Sequence, residues 1–360
     1  MSTKPKATVS AKKSQHETKE AVLKQAILRK IPARMVAKGE ILFPAVPALV
    51  DHYVDVMNQT WLAIGRVFKT DELDYLRKVL RTEAENAFAL SPYSKICISY
   101  ETDPLPKTSL TWTVNTRPSS IENEYQDWVN TRTAPLFGEY PDAKVLDLAR
   151  LFGAPKDCPI IDVGAGTGRN TLPLARLGHQ SDAVEIAPAL AKILREDAAK
   201  EGLNVTVFEG DILDASLPIP THHYRIMLLA EVVASHFRSL EQIRQLFEAA
   251  NRILCPGGVL IFSAFIAHDG YKPDEFARQI SQVMWCCVFT KGQILEAISS
   301  LPFELVSNES TLEYEKAALP AEHWPPTGWY EAWSAGGDLF DLTPTKTPME
   351  LRWLVYRKKE

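Results

Sequence analysis

IIDVGAGTGRNTLPLARLG, Ile160 to Gly178, decides how the rest of the chain is read. PIIDVG is a short apolar run of the kind that forms a strand buried on both faces. TLPLARLG, behind it, reads as a helix ending on glycine. Between the two stand Gly164, Gly166 and Gly168, at alternate positions of DVGAGTG. Glycine lets the backbone turn sharply and lets a ligand approach the main chain at van der Waals distance. A glycine-rich turn that leaves a buried strand and enters a helix is the setting in which such a motif binds a nucleotide-like ligand. Many nucleotide binders share it, so the loop alone does not name the ligand.

Two acids sharpen the reading. Glu185 closes the next strand, AVEIA, 17 residues after Gly168, and is followed by Ile186. A carboxylate there can accept both hydroxyls of a ribose. Asp211 closes the third strand, NVTVFEGD. Its carboxylate can accept an adenine amino group while the N–H of Ile212 serves a ring nitrogen. A dinucleotide fingerprint wants glycine at position 169, and Arg169 stands there. A ligand that carries a sulfonium instead of a pyrophosphate, and needs a carboxylate near its amino-acid part, fits better.

Downstream the rhythm of strand, turn and helix continues. The helix PALAKILREDAAKEG follows AVEIA, YRIMLLAEV is a fourth strand and GGVLIFSAF a fifth. Between the last two lies the helix SLEQIRQLFEAANRIL, with Ser239 as its cap. Strands alternating with helices of this length require parallel pairing and right-handed crossovers. FELVSNES and MELRWLVYRK have strand character with little helix between them, and read as an antiparallel edge pair. The expected fold is α/β: a doubly wound, mostly parallel seven-stranded sheet with that edge pair.

Upstream, the pattern from Phe43 (FPAVPALVDHYVDVMNQTWLAIGRVF) is helical, and Thr70 is the expected cap of TDELDYLRKVLRTEAENAF. SKICISYETD and TSLTWTVN read as strands of a hairpin around Pro-Leu-Pro-Lys. Residues 1–20 have almost nothing to bury and read as a disordered tail. The expected organisation is that tail, a helical and hairpin region over 21–120, and a catalytic domain over 121–360. The middle region carries no chemistry of its own. It reads as a roof over the acceptor site or as a docking module.

The 360 residues are ordinary for a soluble protein, with 46% hydrophobic and 24% charged residues. A net charge of -5 gives no reason to expect nucleic acid as a partner. The five cysteines show no metal-ligand spacing such as CxxC and cannot all pair, which suits a reducing, cytoplasmic setting without a structural metal. The N-terminus lacks the apolar core of a secretory signal. No apolar run approaches the roughly 18 residues of a membrane span.

Taken together, DVGAGTG, Glu185, Asp211, the fourth-strand exit AEVVASHF and the turn and strand CPGGVLIFSAF resemble the class I S-adenosylmethionine-dependent methyltransferases, from about Tyr125 to Arg357. Within that superfamily GRNTLPLARLG, FTKGQILEAISSLPFELVSNES and LRWLVYRKK are similar to the tellurite-resistance branch. The resemblance implies S-adenosylmethionine as cofactor. It implies that Asp162, Gly164, Gly166 and Gly168 line the methionine part, that Glu185 holds the ribose and that Asp211 faces adenine. Ala230 and Glu231 would lie beside the methyl-donor end.

In an open α/β sheet the ligands lie beyond the carboxyl ends of the strands. Two histidines follow such ends, His236 after the fourth strand and His268 after the fifth. Each is a candidate to remove a proton from the acceptor, or else a loop histidine with no proton to move. Tyr125 and Trp128, upstream of the glycine loop, are candidate substrate contacts, since aromatic faces attract a sulfonium. EHWPPTGWYEAW, with His323, Tyr330 and three tryptophans, reads as a pocket wall or as an apolar plug. The function expected is methyl transfer by in-line displacement to an oxygen or nitrogen of a small molecule. A non-catalytic S-adenosylmethionine sensor or scaffold is the alternative. Nothing in the sequence sets an oligomeric state.

Overall fold

The structure is a computed structural model that describes residues 19–360 apart from 105 and 108. The expected tail therefore lies outside the described residues as far as residue 18. Its last two residues, Lys19 and Glu20, open a helix, Lys19–Leu28.

The strands, in chain order, are β1 Lys38–Pro44, β2 Lys95–Thr102, β3 Leu110–Arg117, β4 Ile160–Val163, β5 Ser181–Glu185, β6 Val207–Glu209, β7 Tyr224–Leu229, β8 Leu254–Ala267, β9 Val288–Phe289, β10 Phe303–Ser310 and β11 Met349–Lys358. The main sheet has the order β10-β11-β8-β7-β4-β5-β6, and β9 pairs with β8. β4 runs parallel to β5 on one side and to β7 on the other. β11 lies antiparallel to both β10 and β8. The sheet is thus mixed and mostly parallel. One strand more than expected is present, because two residues, Val288 and Phe289, pair with Phe265 and Ile266 at the far end of β8. A two-residue strand leaves no periodicity in the sequence.

Alternate residues of the central strands face opposite cores, as the two-residue period of a strand dictates. Ile161, Met227, Leu229, Leu260 and Phe262 join the helix Leu240–Ile253 through Ile243, Leu246 and Phe247. Ile160, Ile226, Leu228, Val259 and Ile261 join the helix Ala143–Leu151 through Val145 and Ala149. Both faces are covered, so the strands read as unbroken apolar runs. From β4 the chain moves outward through β5 and β6, and β7 and β8 fill the other side. The crevice for ligands is therefore beyond the carboxyl ends of β4 and β7.

The local signals mostly hold. Ser239 accepts from the N–H of Gln242 and caps its helix. Thr70 does not act as expected: it is the first residue of the helix Thr70–Leu90, and Glu72 instead reaches back to the N–H of Lys69 at 2.8 Å. The helical pattern from Phe43 also starts late. Phe43 and Pro44 end β1, and the helix spans Val50–Ala63 after Pro47 has restricted the turn. β2 and β3 are hydrogen-bonded neighbours in a three-stranded sheet of order β1-β2-β3.

The chain forms two compact units. One comprises residues up to Phe43 together with Leu49–Glu83 and Ile96–Asn115. Its interior is aromatic: Trp61 is fully buried and lies 4.4 Å, centroid to centroid, from Phe68. The other unit comprises Pro44–Ala48, Ala84–Lys95 and Thr116–Glu360, and holds the main sheet. Among the described residues no helix is long and apolar enough to cross a membrane.

Candidate active site

The glycine loop is a left-handed backbone three times over, with φ of +69° at Gly164, +59° at Gly166 and +94° at Gly168. Side chains are excluded by space as well. A Cβ on Gly164 would stand 2.3 Å from Val232 Cγ2, and one on Gly168 2.5 Å from Leu194 Cδ1. Asp162, the last acid of β4, is buried and accepts the hydroxyl of Thr171 at 2.7 Å. Burial pushes its pKa up to about 7, against the opposing pull of Thr171 and Arg169.

Glu185 ends β5 with both oxygens engaged. The N–H of Gly166 donates to Oε2 at 2.7 Å and the N–H of Ala187 to Oε1 at 2.8 Å. The second acid thereby holds the first loop in shape before any ligand arrives. Burial raises its pKa, and these backbone donors oppose the rise. Ile186 lies beside it on the cavity wall. Asp211 is exposed and accepts the N–H of Leu213 at 2.9 Å, while Ile212 is buried beneath it.

Ala230 and Glu231 leave β7 at the same crevice. Glu231 adopts φ +64° and donates its N–H to Ser263 Oγ at 2.7 Å. Its carboxylate meets Arg169, which bridges to Asp142 as well, at 2.8 and 2.7 Å. Arg169 thus does more than block a dinucleotide motif. It is a buried cation shared by two acids, and they raise its pKa. A buried guanidinium demands such partners, yet Asp142 is 27 residues away and the sequence alone did not single it out.

These groups line one cavity of about 590 Å³. The far wall is aromatic. Tyr125 and Trp128, expected there, are joined by Tyr93 and Trp285, which were not. Trp285 lies 5.3 Å from Trp128, 5.2 Å from Tyr93 and 5.7 Å from Tyr125, centroid to centroid. It also adopts φ +55°. Three non-glycine residues among those described have positive φ, and two of them, Glu231 and Trp285, line this cavity. Strained backbone concentrates at functional sites.

His236 sits between two phenols. Tyr93 Oη is 2.8 Å from Nδ1 and Tyr125 Oη is 2.8 Å from Nε2. Burial, and then the charge of Arg238, push its pKa down to about 3. The ring is neutral at pH 7. A neutral imidazole has one N–H, so one phenol donates to it and the other accepts from it. Burial makes the ring a weak base, and its two hydrogen bonds tie it to Tyr93 and Tyr125. His268 is placed elsewhere. Its side chain is half exposed, 3.9 Å from Glu350, and it is not among the residues of the cavity wall.

The segment EHWPPTGWYEAW serves both expected ends. Tyr330 and Trp333 are buried with Phe265 and Met349, and Trp329 and Trp333 also line the cavity. His323 stacks on Tyr140 at 3.6 Å.

Residues 160–258 match the family model described as "Methyltransferase domain". The matched segment holds Asp162, the three loop glycines, Glu185, Asp211 and Glu231, and the family uses S-adenosylmethionine. A comparison with curated proteins found no match. Among solved structures, the chain is similar to a geranyl diphosphate C-methyltransferase from Streptomyces coelicolor at 14% identity and a TM-score of 0.48, covering 68% of this chain and 100% of the other. It is also similar to the cyclase SpnF at 18% identity and a TM-score of 0.46, covering 67% of this chain and 97% of the other. A shared fold does not decide a reaction.

Proposed function

We propose that this protein transfers a methyl group from S-adenosylmethionine to an oxygen or nitrogen of a small-molecule acceptor. The observation that carries the reading is the convergence of Asp162, the left-handed glycine loop, Glu185, Asp211 and Glu231 on one cavity beyond β4 and β7. The donor set fits the cofactor. Glu185 suits a ribose diol, Asp211 and the N–H of Ile212 suit an adenine edge, and Asp162 and Glu231 suit an ammonium. When bound, S-adenosylmethionine supplies a methyl group already activated by the sulfonium charge. The chain's own residues then have two tasks, to align the acceptor and to keep water out. Tyr93, Tyr125, Trp128 and Trp285 do this, with His236 holding two of them in place.

The likeness of GRNTLPLARLG and the C-terminal strands to the tellurite-resistance branch is kept as part of this proposal, with the acceptor in the same cavity. The reading keeps a soluble, cytoplasmic protein, with all five cysteines free. Acceptor selection is assigned to the aromatic side of the cavity, where Tyr93 touches His236. Calorimetry with S-adenosylhomocysteine, followed by incubation of labelled donor with a metabolite extract, tests the reading. Heat together with a labelled product supports it, heat without label supports a sensor, and no heat removes both.

Donor binding should also release protons. Asp162 has its folded pKa raised to about 7, so it is largely protonated in the free protein at pH 6. A bound ammonium favours the ionised form. Donor affinity is therefore expected to rise from pH 6 to pH 8 and then level off, by up to about tenfold per proton and pH unit. The stability Asp162 gives the free protein runs the other way: it is full below the unfolded pKa near 4 and is lost as pH rises through about 7. Calorimetry in buffers of different ionisation heat reads the released proton. Equal heats in all buffers would exclude it.

A further inference from the structure

Arg238 also lines the cavity, half-buried, close enough for its charge to act on Tyr93, His236 and Cys287. Every other charged group of that wall has an explanation. Arg169 is shared by Asp142 and Glu231. Glu185 and Asp211 accept backbone N–H groups, and Asp162 accepts Thr171. Arg132 is exposed and lies 3.5 Å over the Trp128 ring. Asp338 is exposed at the rim. Only the N–H of Arg238's main chain is engaged, donating to Gln242 Oε1 at 2.8 Å. Its guanidinium has no hydrogen-bond or ion-pair partner among the described residues.

A half-buried guanidinium without a counter-charge is costly unless something anionic completes it. S-adenosylmethionine brings one carboxylate, on its methionine part, and the loop that suits that part lies with Asp162 and Gly164. Arg238 instead stands with Tyr93 and His236 on the aromatic side. Trp285 lies 5.2 Å from Tyr93 and 5.1 Å from His236, centroid to centroid, and stacks on Trp128, so the same side of the cavity is lined by aromatic rings. We propose that the acceptor is a small organic acid whose carboxylate pairs with Arg238 while an apolar body lies among the rings of Tyr93, Trp285 and Trp128. This rests on the methyltransferase reading above. A singly charged acid matches a single guanidinium. The chemistry also agrees with a weakly basic His236: a carboxylate is ionised at pH 7, so one oxygen can pair with Arg238 while the other attacks the methyl and S-adenosylhomocysteine leaves, with no proton to remove.

The test is calorimetry on the full chain saturated with S-adenosylhomocysteine. Phenylacetate is expected to bind at least about tenfold more tightly than phenylacetamide, the gap expected of one charge-assisted pair. R238Q should abolish that preference, and R238K should restore part of it. The heat of S-adenosylhomocysteine should be the same in both variants, which a merely structural role for Arg238 would not give. Equal affinity for acid and amide overturns the proposal, as does an R238Q protein that keeps the preference. Tighter binding of phenethylamine, phenyl phosphate or selenite overturns it as well, in favour of a cationic, phosphorylated or inorganic acceptor. Absence of S-adenosylhomocysteine heat in the parent protein removes the methyltransferase reading and this one with it. Heat without acid preference removes this one alone.

Discussion

Replacing Glu185 with alanine is expected to weaken S-adenosylhomocysteine binding at least about 100-fold. Two ribose hydroxyls donating to a buried carboxylate contribute about 1.5–3 kcal/mol each, and every 1.4 kcal/mol is about tenfold. The variant loses a second thing. The N–H groups of Gly166 and Ala187 each hold one oxygen of Glu185, so both lose their acceptor in a buried place. Unsatisfied buried donors cost about 1–3 kcal/mol each. Thermal unfolding should therefore shift down along with affinity. Glutamine is no rescue, because an amide offers one oxygen and one NH2, and sets the NH2 against one of those two N–H groups. Calorimetry and a melting curve on E185A and E185Q check this together. An E185Q protein with parental affinity and melting temperature would remove Glu185 from the cofactor site.

Gly168→Ala should be among the most damaging single-methyl additions in the chain. At φ +94° an L-residue is strained, by roughly 1–2 kcal/mol. The new Cβ would also stand 2.5 Å from Leu194 Cδ1 and 2.9 Å from Leu172 Cγ, both on buried residues. Overpacking of that kind adds about 1–3 kcal/mol. The sum, about 2–5 kcal/mol, is a large share of an ordinary domain's stability. Gly202 is the control, with φ +67° and nothing within 4 Å of a Cβ. G202A should lose only the backbone part, about 1–2 kcal/mol. Urea unfolding midpoints compare the two. If they fall equally, crowding at Gly168 plays no part, and the glycine is there for the turn alone.

What the sequence determined by itself is local and periodic. Apolar runs bounded by glycine and acid gave β4, β5 and β7, because a strand buried on both faces has no polar period to confuse it. FELVSNES and MELRWLVYRK emerged as β10 and β11, residue for residue. Glu185 and Asp211 could be placed beside the glycine loop because Glu185 ends β5 and Asp211 follows β6 by two residues, where the strands open on the cavity. The tertiary structure decided everything that depends on groups far apart in the chain. Tyr93 and His236 are 143 residues apart and meet only when folded. Whether His236 is a base depends on the desolvation around it, which no spacing encodes. His268 follows a strand end just as His236 follows one, yet β8 runs on for 14 residues and carries it away from the crevice. Trp285 carried no signal, since its role comes from a left-handed backbone that only its surroundings can hold. Arg238 is the same case in charge, because only the folded chain shows that its guanidinium lines the cavity with no ion-pair partner among the described residues.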